Sequence, residues 1–248
     1  MPEVHARVVL LTHTPHALEL LYAAFRQCYH EGFVGDMWEK LERGEVSRER
    51  QAELVARVLA SGHASPIEHV SFSFALEGVS RALTHQLVRH RIASYSQQSQ
   101  RYVDGSQCNY IVPPAIARNP AALGRFTRFM EEVGSAYRDL KALLEADGRG
   151  ASAKEDARFV LPQAAETRIV FTMNCRSLWN FFAHRCCNRA QWEIRGVANE
   201  MLRLCREVLP EVFARAGAPC EYLGYCPEGG MGCGRYPARE RPPRQADA

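Results

Sequence analysis

Arg89–Tyr102, which reads Arg-His-Arg-Ile-Ala-Ser-Tyr-Ser-Gln-Gln-Ser-Gln-Arg-Tyr, holds three arginines and three serines within fourteen residues. It contains no acidic residue that could neutralise the arginines. Guanidinium groups and hydroxyls without a local counter-charge suit an anion brought in from outside, above all a phosphate. The alternative is a solvated basic loop, because runs of charged residues usually lie on the surface.

The composition of the whole chain is that of an ordinary globular protein. Its 248 residues can form one domain or two small ones, and 46% of them are hydrophobic. The net charge of +3 argues against a general nucleic-acid binder, because the positive charge is local. No apolar run approaches the length of a membrane span, and the first residues lack the pattern of a signal peptide. We therefore expect a cytoplasmic protein with neither membrane nor nucleic-acid partners.

Nine cysteines are many for a cytosolic chain, and without an export signal we expect reduced thiols. Cys220, Cys226 and Cys233 lie in a tail rich in glycine and proline, at spacings that match no common zinc pattern. A metal site or a redox pair in this tail is the alternative to free thiols, and no other metal site is predicted. We expect the chain after Cys233 to be disordered.

The periodicity of the apolar residues predicts a mixture of strands and helices. The predicted strands and extended segments are Val8–Leu11, Val70–Leu76, Ser94–Arg101, Asn109–Pro114 and Arg168–Asn174. The predicted helices are Pro15–Cys28, Arg48–Ser61, Val79–His90, Ala121–Ala146, Lys154–Val160 and one from Ser177 to about Cys205.

Capping residues and apolar faces add detail to these helices. Thr14 is expected to cap the first helix, with Pro15 at its first position. Ser177 is expected to cap the last one. The buried side of the helix at 121–146 should include Phe129, Met130, Val133, Tyr137 and Leu140.

The helix predicted from Ser177 places two arginines within an apolar face. At about 100° per residue, Arg185 and Arg189 share one stripe with Leu178, Phe181, Phe182 and Trp192. An unpaired buried arginine is costly, so each needs an anionic partner. A carboxylate such as Glu193 or Glu200 would make the arginines structural, whereas a ligand phosphate or an ionising base would make them functional.

Polar side chains elsewhere are further candidates for ligand contacts. Gln86, Arg89 and His90 fall on one side of the helix predicted at 79–90. His63 and Ser65 lie in a polar turn before a strand, where they either line a pocket or bond to nearby backbone.

Six residues of the opening stretch form a recognisable pattern. Arg89, His90, Arg91, Ser94, Ser99 and Arg101 have the form Arg-His-Arg-x-x-Ser-x-x-x-x-Ser-x-Arg. This pattern resembles the signature of the flavin-dependent thymidylate synthases, the ThyX family, with every defining position filled. The resemblance extends to His63–His69, Leu161-Pro162, Asn174–Leu178 and Ala190–Ile194, and it covers roughly residues 8 to 215 in family order.

The resemblance implies an α+β fold in which an antiparallel or mixed sheet packs with long helices. Residues 1–216 would form a single domain, followed by a Cys/Gly/Pro-rich tail at 217–248 that is partly disordered. The implied assembly is a homotetramer with FAD sites shared between subunits. The implied reaction is the reductive methylation of dUMP to dTMP, with 5,10-methylenetetrahydrofolate as one-carbon donor and NADPH as the reductant of FAD.

The resemblance also assigns two groups of binding residues by motif position. The nucleotide-binding group is Gln86, Leu87, Val88, Arg89, Gln97, Gln98, Ser99, Gln100, Arg101, Arg158 and Arg185. The flavin-binding group is His63, Ser65, Arg89, His90, Arg91, Gln97, Asn174, Cys175, Arg176 and Asn180. Gln97 stands where some relatives carry Glu, and Gln keeps an acceptor while adding donors.

Arg185 resembles the catalytic arginine that activates the uracil ring. Carbon 5 of uracil becomes nucleophilic when the ring gains negative charge at nitrogen 3. A fixed guanidinium in an apolar wall stabilises that charge better than one in water. Arginine stays protonated, so its role is electrostatic and not that of a base. No cysteine nucleophile is required.

Two other functions fit parts of the sequence. A single-stranded RNA binder could use Tyr95 and Tyr102 as stacking platforms, although the near-neutral net charge argues against it. The second is another flavoenzyme on a similar scaffold. Flavin in the purified protein would separate both enzymes from the RNA binder.

Overall fold

A computed structural model of the chain describes residues 3–107 and 109–239. Within them the chain forms two compact units. The first contains the described residues up to Leu11 together with Ser73–Thr172. The second contains Thr12–Phe72 and the described residues from Met173 onward.

Short strands and helices of very different length follow one another along the chain. The strands are β1 (Arg7–His13), β2 (Ser71–Ser80), β3 (Ser94–Gln97) and β4 (Glu166–Asn174). The helices are α1 (Ala17–Gln27), α2 (Val34–Glu42), α3 (Arg48–Ala60), α4 (Arg81–Leu87), α5 (Pro114–Ala117), α6 (Pro120–Leu144), α7 (Ala153–Ala157), α8 (Cys175–Arg185), α9 (Trp192–Val208), α10 (Pro210–Phe213) and α11 (Pro219–Leu223). Short 3-10 helices cover Ser65–His69 and Arg158–Val160. The α+β class predicted for the chain is confirmed.

The first unit is built on a sheet whose four described strands have the order β1-β2-β4-β3. Strand β3 runs antiparallel to β4, with Ser94 opposite Thr172. Alternate residues of β2 and β4 are buried, and the rings of Phe74 and Phe171 stack with centroids 5.7 Å apart. Because β3 belongs to Arg89–Tyr102, the polar stretch is fixed to one edge of the sheet.

Helix α6, also in the first unit, confirms the long helix predicted at 121–146 within two residues at each end. Met130, Val133 and Tyr137 are buried as predicted. Phe129 and Leu140 are exposed, so the predicted buried face is too wide. The two exposed side chains lie eleven residues apart, about three turns, and therefore project from the same side of the helix.

Helix α1, in the second unit, begins two residues later than predicted. His16, in the left-handed conformation with a φ of 50°, precedes its first residue. The Thr14 hydroxyl accepts the backbone N–H of Ser71 at 2.9 Å, and the Thr14 N–H donates to the Ser71 carbonyl at 2.9 Å. The predicted Thr14 cap is wrong because these bonds tie Thr14 to the start of β2.

Helix α2 has no counterpart among the predicted elements. Its apolar residues recur at helical spacing and pack on Tyr22 and Ala23 of α1; they are Val34, Met37, Trp38 and Leu41. The pattern needed to predict the helix was therefore present. The helix is only nine residues long, and Phe33 provides no side-chain cap at its start.

The helix predicted from Ser177 to Cys205 is two helices, α8 and α9. Asn174, not Ser177, caps α8 by accepting a backbone N–H of the first turn at 2.8 Å. Gln191 caps α9 by accepting two backbone N–H groups at 3.0 and 3.2 Å. Arg189 lies in the connection between the helices, so the predicted stripe joining it to Arg185 is wrong.

The tail after α11 forms backbone hydrogen bonds within the second unit. The Cys226 N–H donates to the Pro237 carbonyl at 2.7 Å, and the Arg239 N–H donates to the Cys226 carbonyl at 3.2 Å. The disorder predicted after Cys233 falls partly on residues 240–248, which lie outside the described residues. Eight cysteines of the described part are free thiols, and no group of three His, Cys, Asp or Glu there could hold a metal ion.

Among residues 3–107 and 109–239, no helix is both long enough and apolar enough to cross a membrane.

Candidate functional site

The Arg89–Tyr102 stretch begins just after α4 ends at Leu87. The predicted helix is therefore too long, and Arg89 and His90 do not share a helical face with Gln86. The Tyr95 hydroxyl lies 2.9 Å from the Leu87 carbonyl oxygen and 2.8 Å from that of His90, and its one proton is shared between them. Burial raises the pKa of Tyr95 to about 12, so the hydroxyl keeps this proton.

The turn that Tyr95 holds presents two arginines to solvent. Arg89 and Arg91 are exposed, and neither guanidinium bonds to a residue in the described part of the chain. The Tyr95 ring packs against Phe171, with centroids 6.0 Å apart. A ring held in this way does not serve as a stacking platform, which removes one of the two tyrosines on which the RNA-binding alternative depends.

Gln97 is fixed by its side-chain nitrogen. Its Nε2 donates to the hydroxyls of Thr84 at 3.0 Å and Thr167 at 3.2 Å. The Thr84 hydroxyl donates in turn to the Arg81 carbonyl at 3.0 Å, so its one proton is already used. The side chain at position 97 must therefore donate a hydrogen bond to Thr84. The carbonyl oxygen of Gln97 is the atom that can accept a hydrogen bond from a ligand.

We expect Gln97→Glu to lower the free energy of unfolding by about 1–3 kcal/mol at neutral pH, because a carboxylate would face the committed Thr84 oxygen. The loss should shrink at acidic pH, where a protonated glutamic acid is again a donor. Urea unfolding at several pH values measures both effects. Gln163→Glu, at an exposed glutamine of the same unit, is the matched control. Equal unfolding midpoints for the two variants would contradict the prediction.

Arg101 has a counter-charge that its own stretch lacks. Its Nη2 and Nε donate to Oε1 of Glu155, on α7, at 2.7 and 3.0 Å. This hydrogen bonding raises the pKa of Arg101. The backbone N–H of Arg101 donates to the Ser99 hydroxyl oxygen at 3.2 Å. An anion that binds Arg101 must therefore share it with Glu155 or displace that carboxylate.

Arg81 is a candidate that the sequence analysis missed. It is the first residue of α4 and is partly buried close to Arg158. Burial, and next the charge of Arg158, lower the pKa of Arg81. Neither guanidinium makes an ion pair within the described residues. Two like charges held together in partial burial indicate a place for an anion.

A small cavity of about 160 Å³ in the first unit is lined mostly by polar residues. Its lining includes Gln98, Ser99, Gln100, Asp104, Asn109 and Thr167. The structure thus brings three residues of the predicted nucleotide-binding group to one cavity.

In the second unit, His63 is held through both ring nitrogens. Its Nδ1 lies 2.7 Å from the Tyr29 hydroxyl and its Nε2 lies 3.1 Å from the Ser65 hydroxyl. The edge of its ring meets Phe25, with centroids 5.8 Å apart. The structure thus joins the predicted flavin contacts His63 and Ser65 and adds Tyr29, which carries no motif in the sequence.

A large apolar cavity of about 630 Å³ lies next to this turn, between α1, α2 and Ser65–His69. Its walls include Leu20, Ala23, Ala24, Phe33, Trp38 and Pro66, with Ser65 and His69 as polar members. The volume and the mostly apolar lining are typical of a site for a flat organic group. The residues present therefore fit part of a flavin.

Helix α8 carries the remaining candidates of the second unit. Arg176 and Asn180 lie four residues apart on its exposed side, while Leu178 and Phe181 are buried. Arg185 is the last residue of the helix and is partly buried, which lowers the pKa of its guanidinium. Arginine nevertheless remains charged at neutral pH.

The predicted carboxylate partners of Arg189 are not those observed. Arg189 forms an ion pair with Glu228 of the tail. Glu200 is bonded to Arg203 at 2.6 Å, and Glu193 is buried. Arg189 is therefore an exposed arginine that is held by the tail.

Two assigned residues do not offer a side chain to a ligand. Leu87 and Cys175 are completely buried. The backbone N–H of Cys175 donates to the Val70 carbonyl at 2.8 Å, and burial raises the pKa of its thiol. Any ligand contact of Leu87 or Cys175 would therefore involve backbone atoms, whereas Val88 is exposed and Gln86 partly buried.

Comparison with known proteins gives a consistent result. The family model described as "Thymidylate synthase complementing protein" matches residues 9–211. A relative from Nitratidesulfovibrio vulgaris, named flavin-dependent thymidylate synthase, is 71% identical over 245 residues, which cover 98% of this chain and 100% of the relative. A relative of the same name from Clostridium tetani is 48% identical over 238 residues, which cover 92% of this chain and 93% of the relative. One from Pyrococcus furiosus is 39% identical over 230 residues, which cover 90% of this chain and 89% of the relative.

Proposed function

The chain belongs to the family of flavin-dependent thymidylate synthases, and from this premise we propose which of its residues serve each part of the reaction. It is an FAD-dependent enzyme that methylates dUMP to dTMP. The observation that carries this function is the family match over residues 9–211, which contains every position of the motif from Arg89 to Arg101.

The co-substrates, the location and the assembly belong to the proposal. 5,10-Methylenetetrahydrofolate is the one-carbon donor and NADPH is the reductant. Residues 1–216 form the catalytic domain, with 217–248 as its tail, and the enzyme works in the cytoplasm as a homotetramer.

Most of the nucleotide contacts come from residues of the first unit. Arg81 and Arg158 have no carboxylate partner among the described residues, so the phosphate of dUMP provides their counter-charge. Ser99 adds a hydroxyl, and Arg101 joins the site by sharing or leaving Glu155. Gln97 offers its carbonyl oxygen to the uracil N–H, because its nitrogen is held by Thr84 and Thr167.

The apolar cavity beside Ser65 holds part of the flavin. The exposed guanidiniums of Arg89, Arg91 and Arg176 suit its phosphates, and Asn180 suits its hydrogen-bonding atoms. Bound FAD supplies the hydride and one-carbon chemistry, while the protein supplies position and charge.

Arg185 stabilises negative charge on the uracil ring. Its partial burial reduces the screening of its charge by water, so it acts on the ring more strongly than an exposed arginine would. Because the guanidinium keeps its proton, Arg185 does not accept one from carbon 5. None of the cysteines in the motif segments is placed as a nucleophile, since Cys175 is completely buried.

Release of tritium from dUMP labelled at carbon 5 tests this function directly. The purified protein is incubated with NADPH and 5,10-methylenetetrahydrofolate, and tritium in water is counted together with the dTMP formed. We expect release that requires both co-substrates. Protein that carries FAD but releases no tritium would contradict the proposal.

Exposed apolar side chains beside the candidate ligand residues support an oligomer. Ile92, which follows Arg91, is 76% exposed, and Phe159, which follows Arg158, is 82% exposed. Tyr102, which follows Arg101, is 73% exposed. Single exposed apolar residues are ordinary, but their recurrence next to three proposed binding arginines supports an assembly in which a second subunit covers them.

Co-expression of two inactive variants tests whether subunits share their sites. We expect Arg89→Ala and Arg185→Ala to be nearly inactive alone and to regain up to about a quarter of the activity when co-expressed, if the two arginines serving one reaction come from different subunits of a symmetric assembly. Light scattering of the same sample measures the subunit number. A tetramer without regained activity would contradict the shared site but not the assembly.

A further inference from the structure

A basic cleft lies between α1 and α3 in the second unit, apart from the residues assigned above. Its volume is about 220 Å³, and it is lined by Tyr22, Arg26, Arg50, Glu53, Leu54 and Arg57. Tyr22 and Arg26 lie one turn apart on α1. The α3 residues recur at three- and four-residue spacing, so their side chains share the face that borders the cleft.

The charges in this cleft are not balanced. Three guanidinium groups face a single carboxylate, that of Glu53. In the described part of the chain, none of the three guanidiniums makes a hydrogen bond or an ion pair. Arg43, which does not line the cleft, is in contrast bonded to Glu45 at 2.7 Å. The cleft therefore holds positive charge for which the described chain provides no partner.

Arg26, which lines the cleft, also has a buried donor. Nε of Arg26 is inaccessible to solvent and has no hydrogen-bond partner. A buried donor left unsatisfied is costly, and buried donors in native proteins are nearly always paired. The excess positive charge of the cleft calls for an anion, and an oxyanion supplies that charge together with acceptors for the exposed guanidinium N–H groups.

The size of the cleft restricts this oxyanion. Its 220 Å³ lie below the range of about 300–1,000 Å³ of sites that enclose a whole cofactor or drug-sized molecule. A carboxylate or a phosphate group fits, and three arginines with five N–H donors each match the three oxygens of a phosphate monoester better than the two of a carboxylate.

The position of the cleft relates it to the flavin pocket. Helix α1 borders the cleft through Tyr22 and Arg26 and borders the apolar cavity through Leu20, Ala23 and Ala24. A molecule anchored in the cleft by a phosphate is thus separated from the cavity by the width of one helix, about 10 Å.

We propose that the Arg26–Arg50–Arg57 cleft is a phosphate-binding site, and that the phosphate is the 2′-phosphate of NADPH. The assignment to NADPH rests on the proposed function, in which this reductant must approach the flavin. The same chemistry would recognise the phosphate of another small molecule, so the experiment separates these two sources.

Kinetics with NADPH and NADH provide the first arm, because the two differ only in the 2′-phosphate. We expect Arg50→Gln and Arg57→Gln each to raise KM for NADPH about tenfold, since hydrogen bonds between charged groups contribute on that order. KM for NADH and kcat should stay unchanged. Both arginines are exposed, so neither substitution should prevent folding.

Two control variants test whether the change in KM for NADPH depends on the charge of the cleft. Arg43→Gln removes the same charge from an arginine that already has a carboxylate partner, and it should leave both KM values unchanged. Glu53→Gln removes the one negative charge of the cleft and should lower KM for NADPH about threefold at low ionic strength. The same KM values in all four variants would overturn the assignment to NADPH.

Calorimetric titration with inorganic pyrophosphate provides the second arm, using the holoenzyme saturated with dUMP. If the Arg50→Gln/Arg57→Gln double variant loses pyrophosphate binding but keeps normal NADPH kinetics, the cleft is a phosphate site for another phosphorylated molecule. If the double variant changes neither pyrophosphate binding nor KM, the site itself is refuted. Tritium release with dithionite as reductant tests the proposed function separately, because dithionite bypasses NADPH.

Discussion

Replacing Arg185 with alanine should lower the rate of thymidylate formation by about two to three orders of magnitude, while FAD stays bound. Arg185 ends α8 in partial burial, where its charge is less screened than it would be in water. Loss of one preorganised charge beside a developing anion corresponds to about 2.7–4 kcal/mol of transition-state stabilisation. Tritium release measures the rate, and flavin absorbance of the same sample measures the bound cofactor.

Arg189 provides the matched control for this prediction. It lies four residues further along, is exposed and forms an ion pair with Glu228. Arg189→Ala should therefore keep nearly full activity. Arg185→Lys retains the charge without the planar fork and should restore only part of the rate. Full turnover by Arg185→Ala would remove its catalytic role, and loss of flavin from that variant would make the role structural.

Replacing Gly78 with alanine should lower the free energy of unfolding by about 2–4 kcal/mol, from backbone strain and overpacking together. Gly78 has a φ of +64°, which L-residues with a side chain rarely adopt. A Cβ at this position would lie 2.0 Å from the carbonyl oxygen of His5. Because the neighbour is backbone, it cannot move aside by changing a rotamer. The residue lies near the end of β2, so the strain falls on the central part of the sheet.

Urea unfolding measures the effect, and Gly124→Ala is the matched control. Gly124 lies within α6 and has nothing within 4 Å of the position of an added Cβ. Its replacement should raise the free energy of unfolding by about 0.5–1 kcal/mol through helix propensity. Hydrogen exchange should show faster exchange of the backbone amides around His5 in Gly78→Ala. Wild-type stability of that variant would show that the N-terminal segment moves away without cost.

The elements that the sequence predicted well are those with a long, regular pattern. Helix α6 repeats its apolar positions over 25 residues, and β2 alternates buried and partly buried residues, so neither depends on a distant partner. Helix α2 was missed although Val34, Met37, Trp38 and Leu41 follow the helical period, because the segment is short and lacks a capping side chain.

Errors at helix ends arose from competing hydrogen bonds. Thr14 forms hydrogen bonds with Ser71, which is 57 residues away, and the Tyr95 hydroxyl donates to the carbonyl oxygen at the end of α4. Gln191 caps α9 although Ser, Thr, Asp and Asn are the usual caps. Sequence reasoning finds caps by residue type and therefore could not place these ends.

The candidate site was predicted as a set of residues but not as a set of contacts. The motif identified Arg89, Arg101 and Arg158, yet the pairing of Arg101 with Glu155 spans 54 residues and has no local signal. Arg81 carries no motif in the sequence, and only its proximity to Arg158 marks it. Arg185 is partly buried whereas Arg189 is exposed, and this difference likewise depends on the residue at which α8 ends.

Cys233 gives this protein a natural attachment point for a fluorescent reporter. It is exposed, and hydrogen bonding to the backbone of Arg235 is the main cause of its lowered pKa, which favours the thiolate that maleimides attack. The Asn188 side chain donates to its sulfur at 3.8 Å, three residues beyond Arg185. A dye on Cys233 would therefore report on the segment that follows Arg185. Cys28, the other exposed thiol of the described chain, lines the apolar cavity and would need replacement first.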